Sequence, residues 1–243
     1  MEPRDLSPRE LRLRDLGLRS LGARNLIKRA RRIGANASWL AIAVLGLSFA
    51  RTACAAEPLD LSYCTVCHGT QGNGNPAIRA PKIAGMEPWY LKRQLTLFRA
   101  GLRGTHPEDI TGREMQPMTL QLDDNAIETV VAYVKTFEPR PSRPTVEADV
   151  ERGRKLYVSC AGCHGERGEG VEALGGPQLT QRSDWYLVTQ LELFRSGLRG
   201  FSEQDVAGAQ MRTAASILPD AKATRDVVAY INTLPASNQE DAR

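Results

Sequence analysis

Two short stretches of this 243-residue chain bring together residues able to hold a cofactor: Cys64, Cys67 and His68, and again Cys160, Cys163 and His164. In each, two thiols three residues apart fall on one side of a helical turn, where they can form thioethers with the two vinyl groups of one porphyrin. The histidine that follows then lies beneath the iron as its proximal axial ligand. A zinc ribbon, a dithiol redox pair or a structural disulfide would use the cysteines and leave His68 and His164 as coincidences. The chain has only three histidines, and two of them directly follow a Cys-x-x-Cys. The expected cofactor content is therefore two covalently bound haem c, one on Cys64 and Cys67, the other on Cys160 and Cys163.

An offset of 96 residues aligns the two motifs and, without a gap, everything from Cys64 to Leu122 with everything from Cys160 to Leu218. Gly69, Gly72, Gly74, Pro81, Trp89, Tyr90, Leu91, Gln94, Leu95, Phe98, Arg99 and the run from Gly101 to Gly104 all recur. The chain is a tandem duplication, and two copies are too few for a solenoid, so each is a domain with its own core. The duplication also selects the sixth iron ligand. After the N-terminal segment, methionine occurs only at 86, 115, 118 and 211; Met115 follows His68 by 47 residues, and Met211 follows His164 by 47. Met118 aligns with Ala214, and Met86 with Arg182. A single buried methionine is as readily a core filler, but two at one offset point to Met115 and Met211 as axial ligands. Iron closed by histidine and methionine has no position for oxygen or peroxide, which argues for an electron carrier and against an enzyme. His106, aligned with Ser202, reads as a solvated surface residue.

The elements that must position these groups read as helices throughout. Residues 146–159 show an apolar face before the second motif, with Gly153 permitting a close helix crossing; the first copy has room for about two turns there. Glycine-rich loops follow each motif and carry no phosphate-binding fingerprint. A middle helix starts near Pro88, with Leu91, Leu95, Phe98 and Leu102 on one face, and recurs through Leu187, Leu191, Phe194 and Leu198. Trp89 and Trp185 on it read as core packing. A closing helix opens at Asp123 or Asp124, and at Asp220 in the second copy. No segment alternates at a strand period. The fold class is all-α: two tandem cytochrome c-like domains, each a few helices around one covalent haem.

Residues 1–56 read as a signal peptide: an arginine-rich start, an apolar run over 39–50 and the small residues before Glu57. The run is shorter than the roughly 20 residues of a membrane span. Eleven Lys and Arg against four Asp and Glu give this segment +7 of the chain's formal +4, so residues 57–243 carry −3. The basic balance thus belongs to the leader, and nucleic acid is not expected as a partner. Domain 1 is expected over 57–137, a proline-rich linker over 138–147, domain 2 over 148–235 and a polar tail over 236–243. The recurring arginines admit two readings. Arg99, Arg103, Arg195 and Arg199 could face solvent at helix ends, or Arg103 and Arg199 could pair with haem propionates and raise the potential.

These residues resemble the cytochrome c4 family of periplasmic dihaem proteins, over about residues 58–235. The resemblance rests on both Cys-x-x-Cys-His motifs, the Tyr-Leu-x-x-Gln-Leu segments at 90–95 and 186–191, and a methionine ahead of each closing helix. It implies that the carbonyls of Pro81 and Pro177 fix the rings of His68 and His164. It also implies a periplasmic carrier of single electrons between a quinol-oxidising or dehydrogenase complex and a terminal oxidase, with redox proteins as partners and peripheral membrane association compatible. The alternatives are a dihaem subunit of a flavin- or quinone-dependent dehydrogenase and, behind it, a dihaem peroxidase.

Overall fold

The computed structural model describes residues 59–236. All of the described residues fall in one compact unit. The expected signal peptide and all but the first residue of the polar tail lie outside the described residues.

Within 59–236 the structure is helical, with no strand among the described residues and only two isolated bridges, Asn75 with Ala80 and Val171 with Gly176. The first lobe holds α1 (Ser62–His68), α2 (Pro88–Arg99), α3 (Ile110–Met115) and α4 (Asp124–Lys135). The second holds α5 (Val150–His164), α6 (Asp184–Arg195), α7 (Val206–Ala215) and α8 (Ala221–Ile231). Asp123 and Asp220 cap α4 and α8, their carboxylates accepting from Ala126 N and Ala223 N; each satisfies an amide that the helix itself leaves unbonded. Tyr90, Leu91 and Leu95 of α2 pack on Ile127, Val130, Val131 and Val134 of α4. In the second lobe Leu187 of α6 and Tyr157 of α5 pack on Val227, Val228 and Ile231 of α8.

The crossing expected at Gly153 is made with α8: a Cβ there would lie 1.9 Å from the Asp226 carbonyl oxygen. Two helical expectations need correction. Helix α5 begins at Val150, capped by Asp149, and runs through the motif to His164. Val146, expected inside it, instead donates its N–H to Asp184. The helices α3 and α7, which carry Met115 and Met211, were not expected at all.

Residues 138–149 contain no helix and are held along their length. Asn73 bonds Arg140 N and the Glu138 carbonyl, Lys82 Nζ donates to the Arg140 carbonyl, and Ser142 Oγ donates to the Gln181 carbonyl. Asp184 accepts from Thr145 N, Thr145 Oγ1 and Val146 N. Among the described residues no helix is long and apolar enough to cross a membrane.

Candidate functional site

Each Cys-x-x-Cys-His motif forms the last turns of a helix, α1 or α5, which stops at a glycine with positive φ, 82° at Gly69 and 81° at Gly165. The chain then doubles back. Gly74 N donates to the His68 carbonyl and Gly170 N to the His164 carbonyl, both at 2.8 Å. At Gly74 and Gly170, where φ is 85° and 88°, a Cβ would come within 2.8 and 2.6 Å of the backbone nitrogens of Lys82 and Gln178. Only glycine permits this approach, and it brings the proline beside the histidine. His68 Nδ1 lies 2.7 Å from the Pro81 carbonyl oxygen, and His164 Nδ1 lies 2.7 Å from that of Pro177. A carbonyl can only accept, so Nδ1 carries the proton and Nε2 keeps its lone pair. Burial lowers the pKa of both imidazoles, against a smaller opposing effect of the carbonyl, so both rings are neutral and able to ligate at neutral pH.

None of the four cysteines is paired in a disulfide; Cys67 and Cys163 are exposed, and Cys64 and Cys160 are half-buried. Among the described residues no cluster of three His, Cys, Asp or Glu is disposed to hold a bare metal ion.

The methionines sit on helices built alike. Asp109 caps α3 through Gly112 N at 2.8 Å, and Asp205 caps α7 through Gly208 N at 2.9 Å. The glycines are required because a Cβ at either would meet the capping carboxylate at about 2 Å, 2.1 Å at Gly112 and 2.0 Å at Gly208. Met211 lines one cavity with Cys160, Cys163 and His164, among Leu187, Leu191 and Phe194. Met115 is half-buried against the first core, while Met118 is 44% exposed. The correspondence of Met115 with His68 rests on the repeat. Met86 is buried in the first core and also lines the cavity of Met211 and His164. His106 lies in a polar loop, half-buried, its Nδ1 accepting from Glu108 N.

The cavity fits a haem on its own donors. It offers two thiols, an imidazole nitrogen with a free lone pair and a thioether in a mainly hydrocarbon wall. It also offers buried N–H groups on Arg93, Arg182 and Arg199 that find no acceptor in the protein.

Arg103 and Arg199 do not face solvent, and the helix-end reading fails for both: they are buried where the lobes meet. Arg103 donates to Gln94 Oε1 at 2.6 Å in its own lobe and to Gln190 Oε1 at 3.0 Å in the other. Arg199 reciprocates, donating to Gln190 Oε1 at 2.6 Å and to Gln94 Oε1 at 2.8 Å. Each also reaches a tyrosine of the opposite lobe, Arg103 to Tyr186 Oη at 3.4 Å and Arg199 to Tyr90 Oη at 3.0 Å. Each lies over a phenylalanine of its own lobe, Phe98 or Phe194. The result is a two-fold network of six side chains. Four of them, Tyr90, Gln94, Tyr186 and Gln190, are visible in the sequence only as repeated identities, without a sign that they bind across the lobes. Arg99 and Arg195 remain at the surface, paired with Asp124 and Glu192.

Around this symmetric centre the copies differ. Lys82, Met86, Glu87 and Arg93 stand where the second lobe has Gln178, Arg182, Ser183 and Thr189. Arg182 is buried, donates to the Gly85 carbonyl and lies near Glu87, whose Oε1 accepts from Gln178 N.

Comparison with known proteins places the chain among relatives of the same build. The family model for cytochrome c matches twice, over residues 61–138 and 150–235. Cytochrome c4 of Azotobacter vinelandii is 33% identical over 172 residues, covering 66% of this chain and 80% of that protein. A protein of Thiomonas intermedia named thiosulfate dehydrogenase electron acceptor is 29% identical over 216 residues, covering 84% of this chain and 94% of its own. The crystal structure of reduced cytochrome c4 from Pseudomonas stutzeri superposes with a TM-score of 0.55 at 30% identity, over 72% of this chain and 95% of that one.

Proposed function

The chain belongs to the cytochrome c family, within the dihaem cytochrome c4 group, and we propose that it is a periplasmic carrier passing single electrons from a quinol-oxidising or dehydrogenase complex to a terminal oxidase. Two covalently bound haem c equip it, attached at Cys64 and Cys67 and at Cys160 and Cys163. The observation that carries the reading is the histidine geometry built twice: a neutral ring, its proton fixed on a proline carbonyl at 2.7 Å, its other nitrogen free.

In this reading His68 and Met115 would hold the first haem iron and His164 and Met211 the second, and the haems would supply one-electron chemistry. The bonds from Pro81 and Pro177 keep the rings from rotating as the charge changes. Arg103 and Arg199, whose Nε–H groups are buried without an acceptor, supply donors for haem propionates at the lobe interface.

The relative named as an electron acceptor of thiosulfate dehydrogenase favours a second reading, in which the donor is a dehydrogenase that this protein serves as acceptor or subunit. Purification from the native membrane and periplasmic fractions separates the two. A free carrier is recovered alone, without its leader and with two haem masses retained on denaturation, and is reduced by a quinol-oxidising complex. A subunit arrives with its dehydrogenase and is reduced through that enzyme's substrate.

A further inference from the structure

Arg93 breaks the repeat in a way that crosses the lobes. It lies on α2 of the first lobe, where α6 of the second has Thr189, yet it lines the second lobe's cavity together with Cys163, His164 and Met211. Its Nη2 donates to the Gly175 carbonyl of the second lobe at 3.0 Å. Its guanidinium lies 5.0 Å from the ring centre of Trp89 and 5.3 Å from that of Tyr90, and its Nε is buried without an acceptor. Gly175 makes the room: φ is 70°, and a Cβ there would lie 3.1 Å from Arg93 Nη1. Two rings of its own helix and a carbonyl of the opposite lobe thus hold one guanidinium in place.

We propose that Arg93 sets the potential of the second haem, as a fixed positive charge supplied by the first lobe. Reduction lowers the charge at iron by one, so a fixed cation nearby favours the reduced state, the more strongly where little water screens it. A guanidinium stays charged at every physiological pH. Arg93 lines the same cavity wall as His164 and Met211, with Leu187 and Leu191 keeping that wall apolar. The other charges lining the cavity do not single out this site. Arg199 and Asp205 have counterparts in Arg103 and Asp109, and Arg182 and Glu87 oppose each other in sign within the same wall. Lys82, the first lobe's own addition, is bonded to the linker carbonyl of Arg140.

The inference rests on the second haem's occupying the His164 cavity, and the test keeps the two apart. Spectroelectrochemical titration of the intact two-haem protein resolves two one-electron waves, and M211H marks the second, because imidazole in place of thioether lowers the potential. R93T installs the residue of the repeat. It is expected to lower the second wave by about tenfold in the ratio of oxidised to reduced protein, about 59 mV for one electron, and to leave the first wave in place. R93K keeps the charge and is expected to restore most of the shift, which separates charge from packing. The proposal is overturned if R93T moves both waves together, moves neither, or moves the wave that M115H marks. A single haem per chain by pyridine haemochrome assay would overturn the two-site reading, and this proposal with it.

Discussion

The two lobes fix their histidines with the same 2.7 Å bond and cap their methionine helices with the same aspartate, but they are braced differently. In the second, α5 extends through 15 residues and lies against α8 at Gly153, while α1 of the first has 7 residues. Asp226 on α8 reinforces that contact: it is fully buried and binds Asp149 N, Arg152 and Lys222. The first lobe has its own additions: Lys82 bonds the linker and Arg93 bonds the second lobe, at positions where the second copy has Gln178 and Thr189. Duplication thus preserved the apparatus around each haem while the surroundings diverged, inside the second lobe at α5 and α8 and between the lobes at Lys82 and Arg93.

The largest expected effect tests how far the equivalence goes. M115A and M211A should each abolish the thioether-to-iron charge-transfer band of one haem and open that iron to carbon monoxide. M118A should leave both bands intact, since its side chain is substantially exposed. If M118A removes a band and M115A does not, the copies use different ligands.

The bracing of the second lobe should break next. G153A places a methyl against the Asp226 carbonyl and is expected to cost about 3 kcal/mol, at the upper end of overpacking. Denaturant melts should show the second haem's Soret signal lost before the first.

A smaller, pH-dependent effect belongs to the first lobe. Burial, with Arg182 adding to it, depresses Lys82 to about 8, below its unfolded value of about 10.4. Between those values the unfolded chain binds more protons, so this group makes stability rise with pH from about 8 to 10. K82Q, which installs the second lobe's residue, should flatten the rise by about 2 kcal/mol, read from urea melts across that range.

The interface network should give the smallest signal. Each arginine binds both Gln94 and Gln190, so R103M and R199M should not be additive, with a coupling of about 1 kcal/mol. Additive losses in a double-mutant cycle would mean that the two halves of the network act separately.

Much of this was legible because the residues concerned answer to local rules. The apolar spacing in α2, α4, α6 and α8 marks their buried faces, and Asp123 and Asp220 announce their helices. Helices α3 and α7 escaped because Ile-Thr-Gly-Arg-Glu-Met has no apolar stripe and puts glycine, a poor helix former, at its third position. The signal was present in another form: an aspartate three residues before a glycine, in both copies, is a cap whose carboxylate fills the space of the missing side chain. The burial of Arg103 and Arg199 was not legible. A charged residue at a helix end looks solvated unless the other lobe is known to cover it, and that depends on how the lobes meet, which no local pattern encodes.

The held linker has a consequence for motion. A free proline-rich tether would let the lobes diffuse about one another and meet at an effective concentration set by its length. Here the bonds at Arg140, Ser142, Thr145 and Val146 take up the slack. The pair should tumble with a single rotational correlation time, so that a partner arriving at one lobe encounters the inertia and the drag of both.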